Sequence, residues 1–361
     1  MSWKPEEGTL CGFVRCKRYW GLAFLSLALL LMPILKPVVQ RLWTIYHIAS
    51  LDGTIDWNEP DFSLAVSPFD WRDAINNPSE DNQIQSFDDV ETISLTITQN
   101  SDLIWLDEFP NLESIYLQGA GLSDEGLAHL KHFRRLKHIW LWNTKVSDAG
   151  LRYLADLPHL KSIDLQYSCV TGSGLEQLNG LSNLTRLSLE GNPVTDAGLA
   201  GLNDSSTLRV LNLKGTRVSD AGLVHLKDMP QLVILNLDNT HVTGVGLSQL
   251  KNLPKLLWLR LNASPINDTG MRHIKLISSL IRLDLSGTQV SDAGLVHLND
   301  LIKLSHLKLE KTQISDAGLV PLHGHPHLEV IDLDDTKVTS AGICELEATL
   351  PARAIMMDEN E

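Results

Sequence analysis

The sequence predicts an α/β solenoid: a parallel sheet along one face, short helices along the other, and one transmembrane helix ahead of both. Three observations carry this expectation. A block of 24 residues recurs without insertion or deletion, starting at Leu112, Leu136, Leu160, Leu184, Leu208, Leu232, Leu256, Leu280, Leu304 and Leu328. Each block opens with an L-x-x-L-x-L half and continues into a half typified by V-S-D-A-G-L. Upstream, Tyr19 to Leu35 form an uncharged, mostly apolar run. A fixed period of this length marks supersecondary units that bury their core only by stacking.

The copy LRVLNLKGTRVSDAGLVHLKDMPQ, from Leu208, serves to number the block. Positions 1, 4 and 6 are apolar, here Leu208, Leu211 and Leu213. That spacing gives a short strand with positions 4 and 6 inward and 3 and 5 outward. Position 9 is usually Thr (Thr144, Thr216, Thr240, Thr288, Thr312, Thr336), and position 11 is Val, Ile or Leu. Ser219 suits a helix N-cap, and Asp220 suits the positive end of the helix dipole. Leu223, Leu226 and Met229 follow at helical spacing, and Pro at position 23 (Pro158, Pro230, Pro254) ends the helix. Position 15 is Gly in every copy, from Gly126 to Gly342. Gly inside a helix costs about 1 kcal/mol relative to Ala. Its recurrence predicts that this turn lies too close to the adjacent repeat to admit a Cβ.

This pattern divides the chain into a short tail (1–18), an anchor (19–39), a linker with an N-terminal cap (40–89), the repeats (90–350) and an acidic tail (351–361). VETISLTI from Val90 reads as a degenerate first repeat. Residues 52–89 are acidic and aperiodic, part spacer and part cap, and the end after Leu350 reads as frayed.

The apolar run is at the short end of what spans a bilayer, and Lys36 snorkelling would let Val38 and Val39 extend it. Trp20 and Trp43 suit the interfaces. A cleaved secretory signal and a buried soluble helix are the alternatives, but no small-x-small cleavage site follows the run. Four Lys or Arg precede the run and two follow closely. The expected topology is therefore single-pass, with the N-terminus cytoplasmic and the repeats periplasmic or extracellular.

Residues 1–41 carry net +4, leaving −18 for the remainder of a chain whose total is −14. An acidic repeat region argues against nucleic acid, whose binders present a basic face. The four cysteines, Cys11, Cys16, Cys169 and Cys344, make no disulfide framework. Cys11 and Cys16 lack partners for a metal.

With these residues in place, the chain resembles the leucine-rich repeat family. The likeness is greatest to its ribonuclease-inhibitor and cysteine-containing classes, and to bacterial membrane-anchored proteins with V-[TS]-D-A-G-L repeats. It covers Leu112 to about Leu350. It departs at position 9, where the family usually has Asn or Cys and only Asn192 matches; a Thr hydroxyl there can still satisfy loop backbone groups. The resemblance implies a right-handed, horseshoe-shaped solenoid, with strands on the concave face, helices on the convex face, and protein binding as the commonest role.

No G-x-S-x-G, H-E-x-x-H, phosphate loop or Cys-x-x-Cys occurs, so no enzyme and no cofactor are expected. His323, His325 and His327 could converge on a metal, but they fall in a loop between repeats and read as solvated. Asp332, Asp334 and Asp335 offer oxygen ligands without a calcium-loop glycine. His225 and His297 recur at one helix position and read as exposed. Four N-x-[ST] sequons stand at Asn183, Asn203, Asn262 and Asn267.

The outward strand positions carry the expected site. Tyr116, His138, Trp140, Trp142 and Tyr167 should cluster on the outer face of the first three repeats, where large aromatics mark interaction sites. Residues 52–89 folding back over them is the competing reading. A second stripe joins Val210, Ile234 and Trp258 at position 3 with Val233, Leu257 and Ile281 at position 2. It is either extra core or a dimer or partner contact. The expected function is a membrane-anchored, non-enzymatic module binding a protein partner on its concave face. A carbohydrate or cell-envelope binder is the rival, and a substrate-recognition arm of a ubiquitin-ligase-like complex is the third reading.

Overall fold

The computed structural model describes residues 54–56, 90–350 and 355–356. The chain divides into two units, Met1–Asp52 and Gly53–Glu361, and every described residue belongs to the second. Among the described residues no helix is long and apolar enough to cross a membrane. The apolar run at 19–35 lies outside them, as do Cys11 and Cys16 and most of the 52–89 segment.

One sheet of 13 strands runs through the second unit in chain order. Its strands are β1 (Thr54–Asp56), β2 (Thr92–Thr96), β3 (Ser114–Gln118), β4 (His138–Trp142), β5 (Ser162–Asp164), β6 (Arg186–Ser188) and β7 (Val210–Asn212). They continue as β8 (Ile234–Asn236), β9 (Trp258–Arg260), β10 (Arg282–Asp284), β11 (His306–Lys308), β12 (Val330–Asp332) and β13 (Ile355–Met356). Pairing from β2 to β13 is parallel, and equivalent residues of successive regular repeats stand side by side, as Val210 beside Ile234. VETISLTI supplies β2, so the degenerate repeat is a true coil. β1 pairs antiparallel with β2 and occupies that edge of the sheet. The expected fraying after Leu350 needs correction, because Ile355–Met356 add a strand to β12, whose edge would otherwise leave backbone groups unpaired.

The core follows the period. In the copy from Leu208, the side chains of Leu208, Leu211, Leu213, Val218, Leu223, Leu226 and Met229 are all buried. The helical halves are short and mixed. Asp268–Ile274 and Ser340–Glu347 are α-helical, whereas Gly222–Leu226 and Val245–Asn252 are 3₁₀. The tighter 3₁₀ winding covers more length per residue, which suits a segment that must return to the sheet within half a repeat.

Position 13 is where the coils are joined. The carboxylate of Asp196 accepts the amide of Ser219 at 2.7 Å and its hydroxyl at 2.6 Å, one repeat on. The same clasp links Asp124 to Ser147, Asp148 to Thr171, Asp220 to Thr243, Asp268 to Ser291, Asp292 to Ser315 and Asp316 to Thr339. Asn100 does this work for the first coil, accepting the Ser123 amide and donating to its hydroxyl. The acidic side chain thus turns to the following coil as well as lying at the start of its own helix.

The glycine at position 15 fits into this join. A Cβ on Gly222 would lie 2.5 Å from Asp196 Oδ1, an oxygen already held by Ser219. On Gly246 it would lie 2.5 Å from the Asp220 carbonyl oxygen, and on Gly198 2.3 Å from that of Thr171. Most position-9 threonines are satisfied within their own coil, as Thr216 Oγ1 donates to Leu213 O at 2.6 Å, while Ser168 and Ser264 donate to Leu141 O and Leu237 O of the preceding coil. Asn192 reaches further, donating to Leu165 O and accepting from the Val170 amide.

Two outcomes follow from the join. Gly222→Val and Gly246→Ala should each lower the melting temperature, by about 1–3 kcal/mol of stability as overpacking does. Gly180→Ala, with nothing within 4 Å of its added carbon, should leave it unchanged. Thermal unfolding by circular dichroism measures all three. For Asp148, burial alone would raise the pKa. The Thr171 hydroxyl and the amides of Gly174, Thr171 and Gly172 outweigh burial and hold the carboxyl below the usual range. A depressed carboxylate contributes its stability above the unfolded value, about 3.9, and loses it as pH falls through the lower folded value. Asp148→Asn should therefore cost about 1–2 kcal/mol at pH 7, and denaturant titrations at successive pH values should show that gap closing below pH 4.

Candidate functional site

Alternation along β4 puts Ile139 and Leu141 in the core and sends His138, Trp140 and Trp142 to the open face of the sheet. Parallel register then sets Tyr116 beside Trp140 and Gln118 beside Trp142. The Tyr116 and Trp140 rings stack at 3.9 Å between centroids and 6° between planes, and His138 adds to the stack at 5.6 Å from Trp140. Trp142 is 53 % exposed, Tyr167 49 % and Tyr116 37 %. Burial pushes the His138 pKa down, and Arg186, Lys161 and Lys137 push it further against the opposing pull of Glu113.

The five aromatic positions divide in two. Tyr116, Trp140 and His138 form one stack. Among the described residues, Trp142 and Tyr167 make no ring contact with it. Tyr167 turns the other way because position 8 is left-handed, with φ +53°. Its ring lies over Gly191, where a Cβ would come within 2.4 Å of the ring, and its hydroxyl donates to Glu190 Oε1 at 3.3 Å. The neighbouring outward residue on β5, Asp164, ends the aromatic face. Its carboxylate accepts the Gln166 amide and side chain, and burial raises its pKa.

The second stripe is continuous across neighbouring strands. Val210, Ile234 and Trp258 are partners across β7, β8 and β9, and all three are half-buried. Val233 and Ile281 are half-buried and Leu257 is 37 % exposed, so the stripe is face rather than core. The Trp258 ring has the Arg282 guanidinium at 5.5 Å and that of Arg260 at 5.8 Å.

Sequence reasoning missed the polar rows beside these patches. Glu190 pairs with Lys214 at 3.0 Å, Asp238 with Arg260 at 2.7 Å, and Lys308 with Asp332 at 3.4 Å. Burial raises the Asp238 pKa against the opposing pull of Arg260. The signal was available in the alternation of sign at positions 5 and 7 between successive repeats. Glu190, Lys214 and Asp238 alternate at position 7, and Arg260, Asp284, Lys308 and Asp332 at position 5.

Three histidine readings change. His325 is buried rather than solvated, with Nε2 at 3.2 Å from Leu301 O of the preceding coil. His225 and His297 are half-buried rather than exposed, and His225 Nδ1 meets Asn203 Oδ1 at 3.1 Å. Among the described residues no group of three His, Cys, Asp or Glu is placed to hold a metal, and Asp332 is buried against Lys308. Cys169 and Cys344 are free and exposed.

Comparison with known proteins agrees with this geometry. Leucine rich repeat families match residues 134–194, and 204–226 with 277–298. No curated protein sequence matches the chain. Among solved structures, an internalin (inlF) from Listeria monocytogenes is 21% identical over 70% of this chain and 76% of its own, with a TM-score of 0.50. An internalin C2 from the same species is 24% identical over 60% of this chain and 84% of its own, with a TM-score of 0.44. The period, the parallel sheet with its short helical returns and the matched segments make this chain a leucine-rich repeat protein.

Proposed function

We propose that this protein is a membrane-anchored, non-enzymatic interaction module that captures a protein partner on the open face of its sheet. Leucine-rich repeat proteins typically mediate protein–protein interaction. The observation that carries the reading here is the Tyr116–Trp140 stack with Trp142 standing exposed beside it. Large apolar rings held rigidly on a regular sheet present contact area at little entropic cost, and such residues dominate binding energy. Residues 19–39 would hold the module at a bilayer, with the repeats on the far side from the N-terminus.

The geometry of the stack favours a protein over a sugar. Sugar rings bind to open aromatic faces, but Tyr116 and Trp140 turn those faces to each other at 3.9 Å. Stacking leaves less open face for a sugar at these two rings, while Trp142, 53 % exposed beside them, adds contact area for the side chains of a partner.

The test is capture by the full chain in detergent from membrane and envelope extracts, followed by titration of each captured protein after purification. Trp140→Ala with Trp142→Ala should weaken binding about 30-fold or more, as loss of a hot spot does. Circular dichroism should report an unchanged fold. Equal binding by parent and variant would remove the aromatic face from the site. Quenching of Trp fluorescence by soluble envelope glycans, with no protein retained, would install the carbohydrate reading instead.

A further inference from the structure

We propose that positions 2 and 3 of the coils from β6 to β10 form a second docking strip, and that its occupant is a short acidic peptide with apolar residues between its carboxylates. Arg186, Val210, Ile234, Trp258 and Arg282 are consecutive partners across five strands. The two arginines at the ends are exposed, and the three apolar residues between them are half-buried. Position 2 adds exposed Arg209 and Leu257 beside this row.

Charge is what distinguishes the strip. The whole chain carries −14, yet the ten residues at positions 2 and 3 of these coils include three arginines and no acid. Arg186, Arg209 and Arg282 form no ion pair among the described residues, whereas Lys214, Arg260 and Lys308 on the neighbouring rows are paired. Unpaired guanidinium groups with an apolar row between them are matched by carboxylates with apolar side chains between them, since Arg binds carboxylate through two parallel hydrogen bonds. Trp258, already flanked by Arg260 and Arg282, supplies the large central contact.

The spacing selects the peptide. Adjacent strands lie about 4.8 Å apart, so the four intervals from Arg186 to Arg282 span about 19 Å. An extended chain advances about 3.3 Å per residue with side chains alternating, so carboxylates six residues apart reach both arginines. The second and fourth residues between them then fall over the Val210–Trp258 row. A polyanion charged at every unit fits poorly, because Glu190, Asp238 and Asp284 stand on the adjoining rows.

The probe is a fluorescein-labelled peptide, Gly-Asp-Ser-Leu-Ser-Phe-Ser-Asp-Gly, with a twin in which Lys replaces both Asp. Each is titrated by anisotropy against the full chain in detergent. The acidic peptide should bind at least about tenfold more tightly than its twin, with the preference falling as salt rises. Arg186→Glu with Arg282→Glu should reverse the preference, and Trp258→Ala should weaken the acidic peptide about tenfold. The two arginines are exposed, so the charge-reversed chain should keep the parental melting curve. Failure of the acidic peptide to bind, equal binding of the twins, or an unreversed preference in the charge-reversed chain would each overturn the proposal. Tighter binding of a short oligodeoxythymidine than of the peptide would overturn it in favour of nucleic acid. Trp140 and Trp142 sit on β4, two strands from Arg186, so this strip and the aromatic face stand or fall separately.

Discussion

The clasp between a carboxylate at position 13 and a hydroxyl and amide at position 12 of the next coil sets how closely the coils approach. Hydrogen bonds to a charged acceptor are the strong ones, and this one recurs at nearly every step of the stack. It joins helical turns that lie so close that no side chain fits at position 15. Gly there answers to crowding against the preceding coil rather than to a helical preference. The crowding persists where the clasp is missing: a Cβ on Gly198 would lie 2.3 Å from Thr171 O, and one on Gly270 2.4 Å from Thr243 O.

The exceptions follow the same rule. Gly172 and Gly244 replace the acid at position 13 and take left-handed φ values of +103° and +106°. In that conformation their amides, with those of Gly174 and Gly246, turn back onto Asp148 and Asp220 of the preceding coil. Those two carboxylates gain donors, while the coil that follows each glycine loses its clasp. Its position-12 residue then caps its own helix: Thr195 Oγ1 accepts the Gly198 amide, and Asn267 Oδ1 accepts those of Thr269 and Gly270. Where the acid is present the position-12 side chain can serve both ends, as Thr339 Oγ1 donates to Asp316 and accepts the Gly342 amide; where it is absent only the local cap remains.

Position 8 shows the stack overriding local preference. It has positive φ in all ten regular coils, whether the residue is Gly119, Asn143, Tyr167, Ala263 or Lys311. A left-handed non-glycine residue costs about 1–2 kcal/mol. The amide there donates to position 7 of the next coil, as Tyr167 to Glu190 O at 2.8 Å and Lys311 to Asp334 O at 2.9 Å. A ladder running from Gly119 to Lys311 holds the conformation, and at Tyr167 it decides where an aromatic ring points.

What the sequence determined by itself was everything carried by the period: the number of regular coils, the strand register, the inward leucines, the outward Tyr116, Trp140 and Val210–Trp258 rows, and the crowding at Gly222. These need only the 24-residue repeat and the two-residue alternation of a strand. The tertiary structure alone decided which partners residues one coil apart would choose. It stacked Tyr116 on Trp140 but turned Tyr167 toward Glu190, aimed Asp220 at the following coil, buried His325 against Leu301, and left Arg186 and Arg282 unpaired while pairing Arg260 with Asp238. Such choices depend on which side chains the neighbouring coils bring within reach, which no pattern within one repeat encodes.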